Sequence, residues 1–156
     1  MKALTLYQPW ATLVAIGEKT IETRSWPTKH RGFLLIHAAA EFPVCTRGLC
    51  ALTPFAEALA KHNLQRDDLP TGKILAIADL VDCIPTGDLR GPLPPNERAF
   101  GDYRPGRYAW FLRGVRVVFD PPIPAKGNRR LWNYRPNDPS LFQNDYDLTQ
   151  WRGFEQ

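Results

Sequence analysis

The chain has 156 residues, enough to bury one sizeable core and too few for two ordinary domains. With 44% hydrophobic and 23% charged residues it has a globular composition, and no apolar run approaches the roughly 20 residues that span a bilayer, which argues against a membrane helix. The formal charge is +4, but residues 134–156 hold two Arg and four acids, so residues 1–133 carry +6 and form a basic body suited to a phosphate-bearing partner.

Residues 3–7 alternate and predict a first strand. Gln8-Pro9 then opens a helix, with Trp10, Leu13, Val14 and Gly17 at i, i+3, i+4 and i+7 and Gly17 as its stop. The stretch 18–31 is dense in charge and broken by Pro27, and reads as an exposed connection. Residues 32–40 predict a strand apolar on both faces. Leu52, Phe55, Ala56 and Leu59 mark a second helix. Residues 72–85 form the longest apolar β-like run and are the expected central stave, in which Asp79 needs a donor such as Arg24 or His37.

Residues 86–107, rich in Gly, Pro and charge, read as a long loop. Residues 107–119 predict two strands around Arg113-Gly114, followed by a Pro-rich turn and a last short strand ending near Tyr134. The tail, 135–156, has no apolar period and is expected to lie outside the domain of residues 1–134. Five or six strands with two helices and no βαβ rhythm point to an α+β barrel rather than a doubly wound sheet. Cys45, Cys50 and Cys83 make an odd count without a CxxC pair, and are expected to be core thiols in a reducing cytoplasm. Neither a disulfide framework nor a metal site is indicated, and no cofactor is named. The first residues enter a patterned segment directly, without a secretory h-region.

Three segments carry a resemblance: LTLYQPWATLVAIGEKTIETRSWPTKHRGFLLIHAA, GKILAIADLVDCIP and GRYAWFLRGVRVVFDPPIPAKGNRRLWNY. Together they closely resemble the ASCH domain family over residues 4–134. The resemblance implies a PUA-like barrel with helical cover. It further implies RNA- or DNA-binding, while some small bacterial members hydrolyse acetylcytidine or cleave RNA. In those hydrolases a Lys is followed three residues on by a Thr, and a Glu comes from the loop after the central strand. Here Lys19 matches the Lys, Glu22 stands at the Thr position, and Glu97 is the candidate for the loop Glu. A carboxylate does different work from a hydroxyl: Glu22 could serve as general base with Lys19 polarising a carbonyl, or the two could form an ion pair that fixes the loop.

For binding, nucleic acid needs cations for phosphate and flat rings for bases. Arg24, Lys29, His30 and Arg31 supply charge beside Trp10 and Trp26, and Lys126, Arg129 and Arg130 form a second basic group before Trp132. Trp26, in a polar loop, is the expected stacking ring; Trp10 is a core anchor or a stacking ring. Gln8 is able to read a base edge or to cap the helix. Tyr108 and Trp110 share a strand face and read as core, and His37 as a satisfied core histidine. The expected function is a monomeric, cytoplasmic module for RNA, single-stranded nucleic acid or a nucleoside, with a cleft between residues 18–31 and 124–132. The alternatives are a hydrolase of the same fold or a protein-interaction module.

Overall fold

The computed structural model describes residues 1–117 and 121–136. Its elements are β1 (Lys2–Leu6), α1 (Trp10–Ala15), β2 (Ile21–Arg24), β3 (Gly32–Ala38), α2 (Val44–Leu49), α3 (Phe55–Ala60), β4 (Lys73–Pro85), α4 (Pro95–Phe100), β5 (Tyr108–Val117), β6 (Ile123–Pro124) and β7 (Leu131–Asn133). The strands form one mixed, curled sheet in the order β2-β5-β4-β3-β1-β7, with β6 paired to β4 off that path. Only the β1/β3 pair is parallel among the described strands. This is the expected α+β architecture, a curled half-barrel sheet with helical cover, although the described residues form seven strands and four α-helices where the sequence pattern predicts five or six strands and two helices.

The near-continuous apolar run of β4 is explained by its position. It lies between β3 and β5, and where the run is apolar both its faces are covered, Ala76, Ala78 and Leu80 joining one core cluster and Ile74 and Ile77 another. Alternation in β1 sends Ala3 to one side of the sheet and Leu4 to the other. On the concave side Leu4, Leu34, Ile36, Leu80, Trp110 and Leu112 pack with Ala11 and Val14 of α1. Leu13, on the flank of the same helix, enters a second cluster with Phe55, Leu59 and Phe100. The first helix is therefore a wedge joining the sheet to α3 and α4. Behind the sheet, Ala3, Leu35, Ile74 and Ile77 are backed by Trp132 and Tyr134.

Three local expectations are corrected. Within 18–31, Ile21–Arg24 is a strand, antiparallel to β5, and all but Arg24 are buried. Its polar residues hide it: alternation cannot be read when both faces carry hydrogen-bonding groups. Within 86–107, Pro95–Phe100 is a helix with Pro at its start and Glu97 and Phe100 buried at i and i+3. Residues 108–117 are one strand. Arg113 pairs with Asp79 and Arg116 with Ile77, so two β5 residues oppose one of β4, and Gly114 takes a φ of 53° at this bulge. Helix α2 is an addition, since the sequence pattern does not mark it. The tail beyond Pro136 lies outside the described residues.

Of the cysteines expected in the core, Cys50 is buried, Cys83 is half-buried against the core and Cys45 is exposed; all three are free thiols. Among the described residues no helix is long and apolar enough to cross a membrane.

The register makes a sharp contrast between neighbours. Leu80 is fully buried and Val81 is 37% exposed. Leu80→Ala is expected to cost about 2–5 kcal/mol of unfolding free energy, and Val81→Ala about 0.5 kcal/mol or less, in urea titrations. Equal costs would contradict the register of β4.

Candidate nucleic-acid interface

One cleft, of ≈ 340 Å³, opens between the end of β1, the start of α1, β2 and the segment after α4. Leu6, Tyr7, Trp10 and Phe100 give it apolar walls, and Glu22 and Arg24 lie at its floor. Trp10 is held as a wall: its Nε1 donates to Phe100 O at 2.8 Å and its ring meets Phe55 edge-on at 6.3 Å.

Beneath that floor Lys19 has no exposure to solvent. Its ammonium donates to Ile21 O and lies 3.6 Å from Glu22 Oε2, while Arg24 stands 3.6 Å from Glu22 Oε1. Glu22 is thus flanked by two cations at distances too long for hydrogen bonds, and its carboxylate can still accept from a ligand. Glu97 is buried beside this group. One of its oxygens accepts from the Thr20 amide and, at 2.7 Å, from the Thr20 hydroxyl; the other accepts from Ile21 N at 3.4 Å. This carboxylate ties α4 to the start of β2.

Tyr103 completes the cluster. Burial, and then the negative charges of Glu97 and Glu22, push its phenol well above the ordinary tyrosine range, so the hydroxyl stays protonated. A side chain at Gly101 would meet the Tyr103 ring at 2.5 Å, so the ring keeps this position only against a glycine. Asp102, held below the usual carboxylate range by the Arg104 hydrogen bond, also receives Arg107, which in turn donates to Thr23 O.

A second cleft, of ≈ 550 Å³, lies beside the first and shares Tyr7 and Arg24 with it. It is lined by four cationic side chains, Arg24, Lys126, Arg129 and Arg130, against one carboxylate, Glu41. The turn that brings the cations is held by His37. Its Nε2 donates to Ala125 O at 2.9 Å and its Nδ1 accepts from the Thr5 hydroxyl at 3.2 Å, which itself accepts from Trp132 Nε1 at 3.0 Å. This order of donors requires a neutral ring, and burial accordingly lowers the His37 pKa, with the Ala125 hydrogen bond opposing in part. The turn passes so close that a Cβ at Gly127 would lie 2.5 Å from His37 Cε1.

The residues singled out in the sequence divide between these places. Lys19 and Glu22 meet as an ion pair at the first cleft, and Arg24, Lys126 and Arg129 converge on the second. Gln8 is fully buried and its amide is committed to Thr12 and Pro70 O, so it serves the helix start. Trp26 lines neither cleft: its ring meets Trp110 edge-on at 4.7 Å, with Arg24 and Arg130 each 5.6 Å from its centre. It supports cations. Lys29 is exposed and lines neither cleft, and Arg31 pairs with Asp82 at 2.9 Å. Trp110 is fully buried and Tyr108 packs on the core, as expected. Asp79 faces Arg113 in the strand register, and neither Arg24 nor His37 turns to it.

Sequence reasoning passes over Tyr7, Tyr103 and Asp102. The signal for Tyr7 is a ring directly before the helix-opening Gln8-Pro9, out of phase with the buried Leu6. Among the described residues no group of three or more His, Cys, Asp or Glu could hold a metal ion.

A family model described as the ASCH domain matches residues 4–113. The chain belongs to the ASCH domain family. Activating signal cointegrator 1 from Homo sapiens is 29% identical over 136 residues, covering 83% of this chain and 21% of that protein. Its Mus musculus counterpart is 28% identical over the same length. The chain thus spans about a fifth of the length of the curated relatives it matches. The crystal structure of ASCH from Zymomonas mobilis is similar with a TM-score of 0.50 and 14% sequence identity, covering 91% of this chain and 90% of that one. At that identity the likeness supports the ASCH fold.

The buried groups have measurable effects on stability. Because the folded His37 pKa lies below the ordinary 6.5, its contribution is fully present above that value and is lost as pH falls through it, since the unfolded chain takes up the proton first. Thermal unfolding followed from pH 7.5 to 5 should show a fall in Tm for the wild type that is shallower in His37→Gln. Lys19→Ala leaves Ile21 O without its donor and Glu22 with Arg24 alone, and should cost about 2–3 kcal/mol in chemical denaturation.

Proposed function

We propose that this ASCH domain binds RNA or another single-stranded nucleic acid, with phosphates on the cationic cleft and a base in the apolar cleft beside it. The observation that carries the reading is the convergence of Arg24 with Lys126, Arg129 and Arg130, from segments more than a hundred residues apart, around one concave surface holding a single acid. Arg24 is met in part by Glu22, and Arg24 and Arg130 rest over Trp26, but four cations against Glu41 leave the cleft strongly positive, so a partner anion is the natural compensation. The adjoining cleft differs. Its acids and bases balance, with Glu22 and Asp102 against Arg24 and Arg107, and its walls are apolar rings suited to a flat ligand. The nucleic-acid binding implied by the family resemblance supports the same reading. We take residues 1–134 as the binding unit, acting as a monomer in the cytoplasm; Met1 and Tyr134 bond to each other through both backbone groups, at 3.0 and 2.9 Å.

The test is binding of a labelled single-stranded RNA as a function of salt. Lys126→Ala and Arg129→Ala should each weaken binding at low salt and reduce the slope of log K against log salt by about 0.7 for each phosphate no longer neutralised. Lys29→Ala, outside the clefts, should stay within about twofold of wild type. An unchanged slope in the Lys126→Ala/Arg129→Ala double variant would remove the cationic cleft from the interface.

A hydrolase reading is favoured by one observation, the Glu22 carboxylate lining the apolar cleft with the buried Lys19 ammonium 3.6 Å behind it. With Glu22 in place of the hydroxyl that the related hydrolases use, wild type is expected to leave acetylcytidine intact. Chromatography of wild type and Glu22→Thr after incubation with acetylcytidine separates the readings: turnover by wild type that is lost in Glu22→Gln would make Glu22 a catalytic carboxylate.

A further inference from the structure

We infer that Tyr7 is the stacking platform of the interface and that one nucleotide straddles it, its base in the apolar cleft and its phosphate in the cationic one. The inference rests on the nucleic-acid reading of the same site and adds the residue that joins its two halves.

Among the described residues the large hydrophobic side chains left exposed are Tyr7, Val44, Leu52, Val81 and Val117, of which Tyr7 alone is aromatic. It is 46% exposed, between Leu6 at 3% and Gln8 at 0%. The backbone around it is fixed: Leu6 closes β1, and the Tyr7 carbonyl accepts from Ala11 N at 3.1 Å in the first turn of α1. A ring on so rigid a base, excluded from a core that accepts its neighbours, loses little freedom when a second ring lies on it.

Its place decides what that second ring is. Tyr7 and Arg24 are the two residues lining both clefts, so the ring stands on the ridge between an apolar, charge-balanced hollow and a strongly cationic one. A nucleotide has the same division, a flat base joined to an anion. Trp26, by contrast, already carries two guanidinium groups at 5.6 Å. Trp10 is locked into the wall by its hydrogen bond to Phe100 O.

The experiment measures fluorescence anisotropy of a fluorescein-labelled ten-nucleotide RNA of mixed sequence, and of a matched abasic ribose-phosphate oligomer, at several salt concentrations. Proteins are wild type, Tyr7→Phe, Tyr7→Ala, Tyr7→Leu and Lys126→Ala, each checked for an unchanged Tm. Loss of stacking on one base corresponds to about a five- to hundredfold drop in affinity. The expected result is such a drop for RNA in Tyr7→Ala, a lesser one in Tyr7→Leu and none in Tyr7→Phe, with the salt slope unchanged and the abasic oligomer unaffected. If Lys126→Ala weakens binding while Tyr7→Ala stays within twofold, or if Tyr7→Ala loses the abasic oligomer equally, the Tyr7 inference is overturned and the cationic cleft stands. No binding by wild type at low salt would overturn both.

Discussion

A lysine ammonium with no access to water must be compensated where it lies, and much of the cleft geometry follows from how the Lys19 charge is met. The Ile21 carbonyl and the Glu22 carboxylate do this from β2, so the four-residue strand has to begin close after Lys19, which lies in the connection between α1 and β2. Pairing with β5 then sets Glu22 opposite Trp110 and aims Arg24 toward the second cleft. The desolvation cost of the charge is balanced by geometry that would serve no purpose in a purely apolar core. Specific placement of Glu22 and Arg24 is what that geometry yields.

The two clefts differ in how they are held. The apolar one is built by packing: α1 wedges between two core clusters, and Trp10 and Phe100 meet across the gap. The cationic one depends on a hydrogen-bond chain from Trp132 through Thr5 and His37 to Ala125, which pins the turn to strands β1, β3 and β7. Both devices hold their groups in place, Trp10 on a helix by its bond to Phe100 O and Lys126, Arg129 and Arg130 in a turn tied down by His37, which would lower the entropy cost of binding a ligand.

How much of this is legible in the sequence varies by element for physical reasons. Helix α1 and the first half of β4 are plain, because burial there is apolar, periodic in the helix and continuous in the strand. Strand β2 and helix α4 are hidden because what they bury is Lys19, Glu22 and Glu97, whose partners come in part from distant segments. Pro95 followed by Glu97 is a helix-start signal inside a Gly- and Pro-rich stretch, outweighed by its neighbours. The pairing of Lys19 with Glu22 is readable from spacing. That Trp26 is occupied by arginines, and Tyr7 left free on the ridge, is not, since exposure of a ring depends on the whole fold.

The polar groups along β2 have a consequence for solubility. This short strand ends the described path of the sheet, and an open edge invites a strand from another molecule. Here Lys19 occupies the Ile21 carbonyl, Glu97 the Ile21 amide and Arg107 the Thr23 carbonyl. Side chains thus sit on the backbone groups an incoming strand would need. The cluster that shapes the cleft also guards the sheet against edge-to-edge aggregation.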